Sequence, residues 1–223
     1  MPRQRSVFDV VGPVMIGPSS SHTAGACRLG ELARTIFGAT PVHAHVLLHG
    51  SFASTGPGHG TDLALVAGLL GMRPDDERIA SSFEVAAEQG LSFEFAEGDL
   101  GDVHPNTALF ILADENDRRM SVQGSSLGGG DVVVTRIDGY DVEISGDLPV
   151  LVVAHLDRPG EIASVTGILA ESKVNIAFMQ MSREQRGAGA LMLIATDAPV
   201  SAECAQRIAD EPGVTSVQRV SAV

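Results

Sequence analysis

Tryptophan is missing from this chain, tyrosine occurs once, and aromatic residues make up 4% of its 223 positions. Little is therefore available to stack on bases. Positive charge is also scarce. Fifteen Lys and Arg stand against 28 Asp and Glu, a formal charge of −13. Such a surface repels phosphate backbones, so no nucleic-acid partner is expected. Cysteine appears twice, at Cys27 and Cys204. Two cysteines so far apart imply no disulfide framework and suit a reducing cytoplasm. Long apolar runs are absent, and the charges of Met1–Val7 lead into no apolar stretch. Neither a membrane span nor a secretory leader is expected. What the chain does have is 44% hydrophobic residues, enough for a folded core.

The densest chemistry lies in Ile16-Gly-Pro-Ser-Ser-Ser-His-Thr-Ala-Gly25. Hydroxyls of Ser19, Ser20, Ser21 and Thr23 surround His22, just before a helix expected over Thr23–Phe37 and stopped by Gly38. Hydroxyls and free N–H groups at a helix start cradle a small anion such as a carboxylate. Histidine adds a group that moves a proton near neutral pH. An ordinary N-cap explains one such hydroxyl but not this many around a histidine.

Alternation marks a strand over Val42–Leu48. A glycine-rich loop, Gly50–Gly60, then leads into an apolar helix over Thr61–Leu70, with Thr61 and Asp62 as its caps. A further helix is expected over Asp76–Gln89, then strands near 91–95, 107–113, 120–125, 131–137 and 140–145. Turns such as Asp138-Gly139 separate the later ones. The fold class is α+β: residues 1–147 form a mixed α/β domain with a largely antiparallel sheet. Residues 148–223 read as a second unit with the order βαββαβ, the ferredoxin-like plan.

The second unit resembles an ACT domain, a small amino-acid-sensing regulatory module. The resemblance rests on Asp157-Arg-Pro-Gly160 before a helix and Asn175 at the start of the next strand. It implies a ligand site at Asp157, Gly160 and Asn175, with the turn's N–H groups beside the Asn side chain. Such sites usually form between paired domains, so a homodimer is implied.

The first unit resembles the β subunit of iron–sulfur-dependent L-serine dehydratase. Three motifs in order carry the likeness: Gly17–Gly25, Gly50-Ser-Phe-Ala-Ser-Thr-Gly-Pro-Gly-His-Gly-Thr-Asp62, and His104-Pro-Asn-Thr107 followed by Gly128–Gly130. The resemblance implies a lyase, an L-serine ammonia-lyase that makes pyruvate and ammonia and is inactive without an α subunit. That α partner would carry a 4Fe-4S cluster whose open iron acts as a Lewis acid. This chain's two cysteines are too few for one, and no metal site is expected in it. His59 and His22 are the implied catalytic pair, with His59 in a mobile loop. Ser19, Ser20, Ser21 and Thr23 are the implied substrate contacts, and Ser51, Ser54 and Thr55 are weaker candidates. The first unit is also similar to the allosteric substrate-binding domain of some phosphoglycerate dehydrogenases. That likeness implies a regulatory serine or anion site at His104 and Asn106, with the glycines at 128–130. The rival reading is a non-catalytic amino-acid-sensing regulatory protein.

Other motifs fail on context. Gly124-Ser-Ser-Leu-Gly128 fits a nucleophile elbow, but strand follows it where a helix is needed. His43, His45 and His49 share a strand face without an evident acid or cysteine to complete a zinc set.

Overall fold

The computed structural model describes residues 14–223. The chain divides into two compact units after Thr135, inside a strand. The boundary expected from sequence, at 147/148, falls later, after the last strand of the first sheet.

The first unit opens with a π-helical turn over Ser20–Ala24, which runs straight into helix α1 (Gly25–Phe37). Strand β1 (His43–Leu48) follows, then helix α2 (Gly50–His59) and helix α3 (Thr61–Leu69). A 3-10 turn over Glu77–Ser81 precedes α4 (Ser82–Gln89), so the single helix expected there is two pieces. Strands β2 (Ser92–Glu97), β3 (Thr107–Ala113), β4 (Arg119–Gly128), β5 (Asp131–Ile137), within which the unit boundary falls, and β6 (Tyr140–Ile144), which lies past that boundary, complete a sheet of order β2-β1-β3-β4-β5-β6. β1 pairs with β2 in parallel and with β3 antiparallel. β3 pairs with β4 antiparallel as well, so the expected antiparallel pairing is joined by one parallel pair, β1 with β2.

Burial follows sequence period. Leu29, Leu32, Ala33 and Ile36 recur at helical spacing and are fully buried on α1. α3 is apolar all round, and Ala64–Leu69 is buried throughout. α1 and α3 cross backbone to backbone. A Cβ on Gly68 would stand 2.0 Å from the Cys27 carbonyl oxygen, and one on Gly30 would stand 2.3 Å from that of Leu65. Only glycine permits that approach. Cys27 is buried there; desolvation pushes its thiol up to about 12, so it is no reactive thiol.

The largest departure from expectation is α2. Gly50–Gly60 reads as loop because Gly, Ser, Thr and Pro disfavour helix. Tertiary contacts override that. Phe52 is fully buried, and the Ser51 and Phe52 N–H groups donate to the Pro105 carbonyl.

The second unit contains β7 (Val150–Leu156), α5 (Glu161–Glu171), β8 (Ile176–Arg183), β9 (Gly189–Thr196), α6 (Ala202–Ala209) and β10 (Val214–Val220). Its sheet has the order β10-β7-β9-β8, with β9 antiparallel to both neighbours. This is the expected ferredoxin-like plan. Leu151, Val153, Met192 and Ile194 form its core with Val165, Leu169 and Ile208 from the helices. Met179 and Met181 pack against the same core.

Candidate functional site

The fold gathers the three sequence motifs of the first unit into one place. The π-helical turn ahead of α1 carries the Ser-Ser-Ser-His-Thr run. α2 starts on Gly50, at φ +55°, where a Cβ would stand 2.8 Å from the carbonyl oxygen of Pro105 in the His104-Pro-Asn106 turn. Asn106 in turn meets β4: its carbonyl accepts from the Ser126 N–H at 3.0 Å, and its amide donates to the Ser126 carbonyl at 3.4 Å.

His22 is the hub. Its Nε2 lies 3.0 Å from Ser51 Oγ and 3.1 Å from Thr55 Oγ1, and its Nδ1 lies 3.1 Å from Ser21 Oγ. Its backbone N–H donates to Ser19 Oγ at 3.1 Å, so Ser19 is the N-cap of this turn. Thr23 is buried and donates to the His59 carbonyl at 3.1 Å. Ser20 lies within the turn, and its carbonyl accepts from the Gly25 N–H. The edge of the Phe52 ring packs on His22 at 5.5 Å.

His59 stands in the last turn of α2, not in a loop, and its ring lies 5.3 Å from that of His22. Its Nδ1 is 3.0 Å from the Thr55 carbonyl oxygen. A carbonyl only accepts, so the neutral ring carries its proton on Nδ1 and leaves the Nε2 lone pair free. The two rings thus differ. His22 is engaged at both nitrogens, whereas His59 is exposed with one nitrogen open.

Burial and the neighbouring His59 hold His22 below the ordinary histidine value of 6.5. It is neutral at pH 7. As pH falls below 6.5, the unfolded chain takes the proton first, so stability falls with pH through that window and is complete above it. In a histidine NMR titration His22 is expected to show a midpoint below 6.5, and His59→Ala moves that midpoint upward by removing the neighbouring charge.

Other expected residues fare unevenly. Thr61 does not cap α3: its hydroxyl is buried without a partner, and Asp62 instead accepts from the Leu63 N–H. Ser126 Oγ, against Gly25, is likewise buried and unpartnered. His104 Nδ1 accepts from the Asn106 N–H at 3.1 Å, and its carbonyl accepts from Thr107 Oγ1 at 2.5 Å. Both bonds fix the turn. Gly128, Gly129 and Gly130 all have positive φ, and the Gly130 carbonyl accepts from Arg28 at 2.6 Å. Glu94 lies 3.9 Å from His43 and 3.8 Å from His45, an acid the sequence had not shown beside them. Among the described residues no group of three such side chains is placed to hold a metal.

In the second unit the turn and the asparagine do not meet. β7 and β8 run parallel with β9 between them, so Asp157, after β7, and Asn175, before β8, lie at opposite ends of the sheet. Asn175 donates to Asp197 at 2.7 Å. Gly160, at φ +99°, precedes α5. Asp157 accepts from the Gly187 N–H and from Arg183, which hold its carboxyl below the usual range. That tie is complete above the ordinary carboxylate value of about 3.9 and is lost as pH falls through the lowered one. The Gly187 amide resonance is expected to titrate with a midpoint below about 3.9, and Asp157→Asn abolishes the transition.

Fold and site together define a class: an α+β domain bearing a hydroxyl-flanked histidine pair, followed by a ferredoxin-like βαββαβ module. The model of the serine dehydratase beta chain family matches residues 6–89, and that of the ACT domain matches residues 150–213. The chain is 41% identical to the probable L-serine dehydratase beta chain of Bacillus subtilis (strain 168) over 98% of its length and 99% of the relative's. It is 39% identical to the L-serine dehydratase beta chain of Peptoniphilus asaccharolyticus over 88% of its length and 89% of that chain. It is also 30% identical to a D-3-phosphoglycerate dehydrogenase of Methanocaldococcus jannaschii over 49% of its length and 21% of the enzyme's. The chain belongs to the serine dehydratase beta chain family.

Proposed function

We propose that this chain is the β subunit of an L-serine dehydratase and forms pyruvate and ammonia from L-serine together with an α subunit. The observation that carries this reading is the His22–His59 pair, with rings 5.3 Å apart at a hydroxyl-rich helix start. A 4Fe-4S cluster, where one is used, belongs to the α subunit. This chain's own residues do not fit as its ligands: Cys27 and Cys204 are both buried and lie in different units.

The chain's part is proton movement and orientation. His59 Nε2 takes the α-proton of serine. The electron pair left on the α-carbon forms the new double bond as the C–O bond breaks, and the departing β-hydroxyl leaves as water with the proton that His59 then gives up. The aminoacrylate then tautomerises to the imine, which water hydrolyses to pyruvate and ammonia. Ser19, Ser20 and Ser21 form the carboxylate-binding edge, supported by their place at the helix start; Thr23 is buried and gives its one hydroxyl proton to the His59 carbonyl, so it anchors the end of α2 instead. His22, neutral and bonded on both sides, orients that edge.

His104 and Asn106 form a regulatory anion site in this reading, next to the same helices. The ACT module takes an amino acid between two copies, with Asp157 and Gly160 from one and Asn175 from the other. The two ends of its sheet lie too far apart for one chain to close the site.

The test is anaerobic co-expression with a cysteine-bearing α chain, assaying pyruvate from L-serine. Activity with both chains and none with either alone is the expected result. Serine binding to this chain without complex formation would leave only the sensor.

A further inference from the structure

Thr55 touches both histidines through different atoms. Its carbonyl oxygen faces His59 Nδ1 at 3.0 Å, and its side-chain Oγ1 faces His22 Nε2 at 3.1 Å. We propose that Thr55 is a positioning residue that sets the two rings in opposite tautomers, with the proton on Nδ1 in His59 and on Nε2 in His22. The proposal rests on the reading of His59 as the base.

The direction of the bonds follows from counting hydrogens. Thr55 has one hydroxyl proton. The Ser51 carbonyl, 2.8 Å away, only accepts, and it is the nearest partner of that hydroxyl. The proton goes there, so Thr55 Oγ1 meets its other neighbours as an acceptor. His22 Nε2 therefore carries the hydrogen, shared between Thr55 Oγ1 and Ser51 Oγ at 3.1 and 3.0 Å. His22 Nδ1 is then the acceptor, and Ser21 Oγ, 3.1 Å away, donates to it. Ser21 Oγ is left to accept from Ser19 Oγ, 3.3 Å away, while Ser19 Oγ accepts from the His22 N–H. Ser51 Oγ gives its own proton to Thr55 Oγ1, 3.2 Å away. Every donor in this order then has an acceptor, and the chain runs one way from Ser19 to the Ser51 carbonyl. With His22 reversed, Ser51 Oγ would donate to the bare Nε2, but the 3.1 Å contact between Nε2 and Thr55 Oγ1 would set two lone pairs against each other, since the Thr55 proton is held by the Ser51 carbonyl.

The consequence is a division of labour on one turn of α2. The same residue leaves Nε2 bare on the exposed ring and covers Nε2 on the half-buried one. Only one of the two histidines presents a lone pair to a substrate.

Ring-nitrogen NMR of this chain alone, labelled with 15N-histidine and held near pH 8, reads both tautomers directly. His59 is expected as the Nδ1–H form and His22 as the Nε2–H form. Thr55→Val keeps the shape and the carbonyl but removes the hydroxyl. The His22 tautomer ratio then falls by about fivefold, the worth of one hydrogen bond, while His59 is unchanged. Thr55→Ser restores the ratio. In the assembled enzyme Thr55→Val lowers kcat by about the same factor and leaves KM within twofold, and Thr55→Ser again recovers it. His22 found as Nδ1–H in the unaltered chain, or a His22 ratio untouched by Thr55→Val, would overturn the proposal. The NMR result does not depend on turnover. An αβ complex that makes no pyruvate, with both tautomers as expected, defeats the proposed activity and leaves the role of Thr55 standing.

Discussion

Replacing His59 with alanine is expected to lower kcat for pyruvate formation by the assembled enzyme by about 10²–10⁴-fold, the usual worth of a positioned general base. The argument is geometric. His59 Nε2 carries no hydrogen bond among the described residues, and the opposite ring nitrogen is fixed on the Thr55 carbonyl. The side chain is exposed at the end of α2, so its removal leaves the core intact. His22→Ala is the informative companion. It removes a hub bonded to Ser21, Ser51 and Thr55, so it disorders the substrate edge and raises KM as well as lowering kcat. Steady-state kinetics of both variants, with complex formation checked by gel filtration, separates the roles. A His59→Ala enzyme within tenfold of the parent removes His59 from the chemistry.

Gly68→Ala is expected to lower the melting temperature by on the order of 10 °C, because overpacking of a rigid core costs about 1–3 kcal/mol or more. The added methyl would sit 2.0 Å from the Cys27 carbonyl and 2.6 Å from the Glu31 nitrogen, both main-chain atoms that no rotamer change relieves. Gly30→Ala meets the Leu65 carbonyl from the other side and is expected to behave alike. The helices must part for either methyl to fit. α1 follows the turn that bears His22, and α3 follows Gly60 directly after His59. Parting them therefore lengthens the His22–His59 separation too. Calorimetry reads the first effect, and kcat measured well below the shifted melting temperature reads the second. By contrast, a Cβ on Gly90 or Gly139 meets nothing within 4 Å, but each has a positive φ and tolerates alanine only with backbone strain.

Much of the fold was legible because period and burial agree. Val42, Ala44, Val46 and Leu48 alternate, and the last three lie buried in the sheet. The second unit followed from its element order alone. α2 was not legible, since its residues favour loop and its helix depends on Phe52 and Pro105, which are distant in sequence. The site was half legible. The Ser-His run and the histidine between glycines stood out by type. Their convergence did not, because it depends on α1, α2 and β3 meeting. Ser51 and Thr55 ranked low because a serine or threonine in a supposed loop has no defined direction. One turn of helix, with residues i and i+4 on one face, gives them one. Ser126 carried no local signal at all. The separation of Asp157 from Asn175 within one chain follows from β7 and β8 running parallel on either side of β9.

The turn over Ser20–Ala24 is wound with one residue more than an α-helix would use: the Gly25 N–H reaches back to the Ser20 carbonyl, five positions away. Each residue of an ordinary helix turns the chain by about 100°. That single surplus position therefore sets the compass bearing of everything ahead of α1. Deleting Ala24 would let the turn tighten, leave α1 and its buried face in place, and swing His22 by about a quarter-turn away from Ser51 and Thr55. A chain so shortened would keep every side chain of the pair, and with it the composition of the site, yet lose the meeting of the two rings.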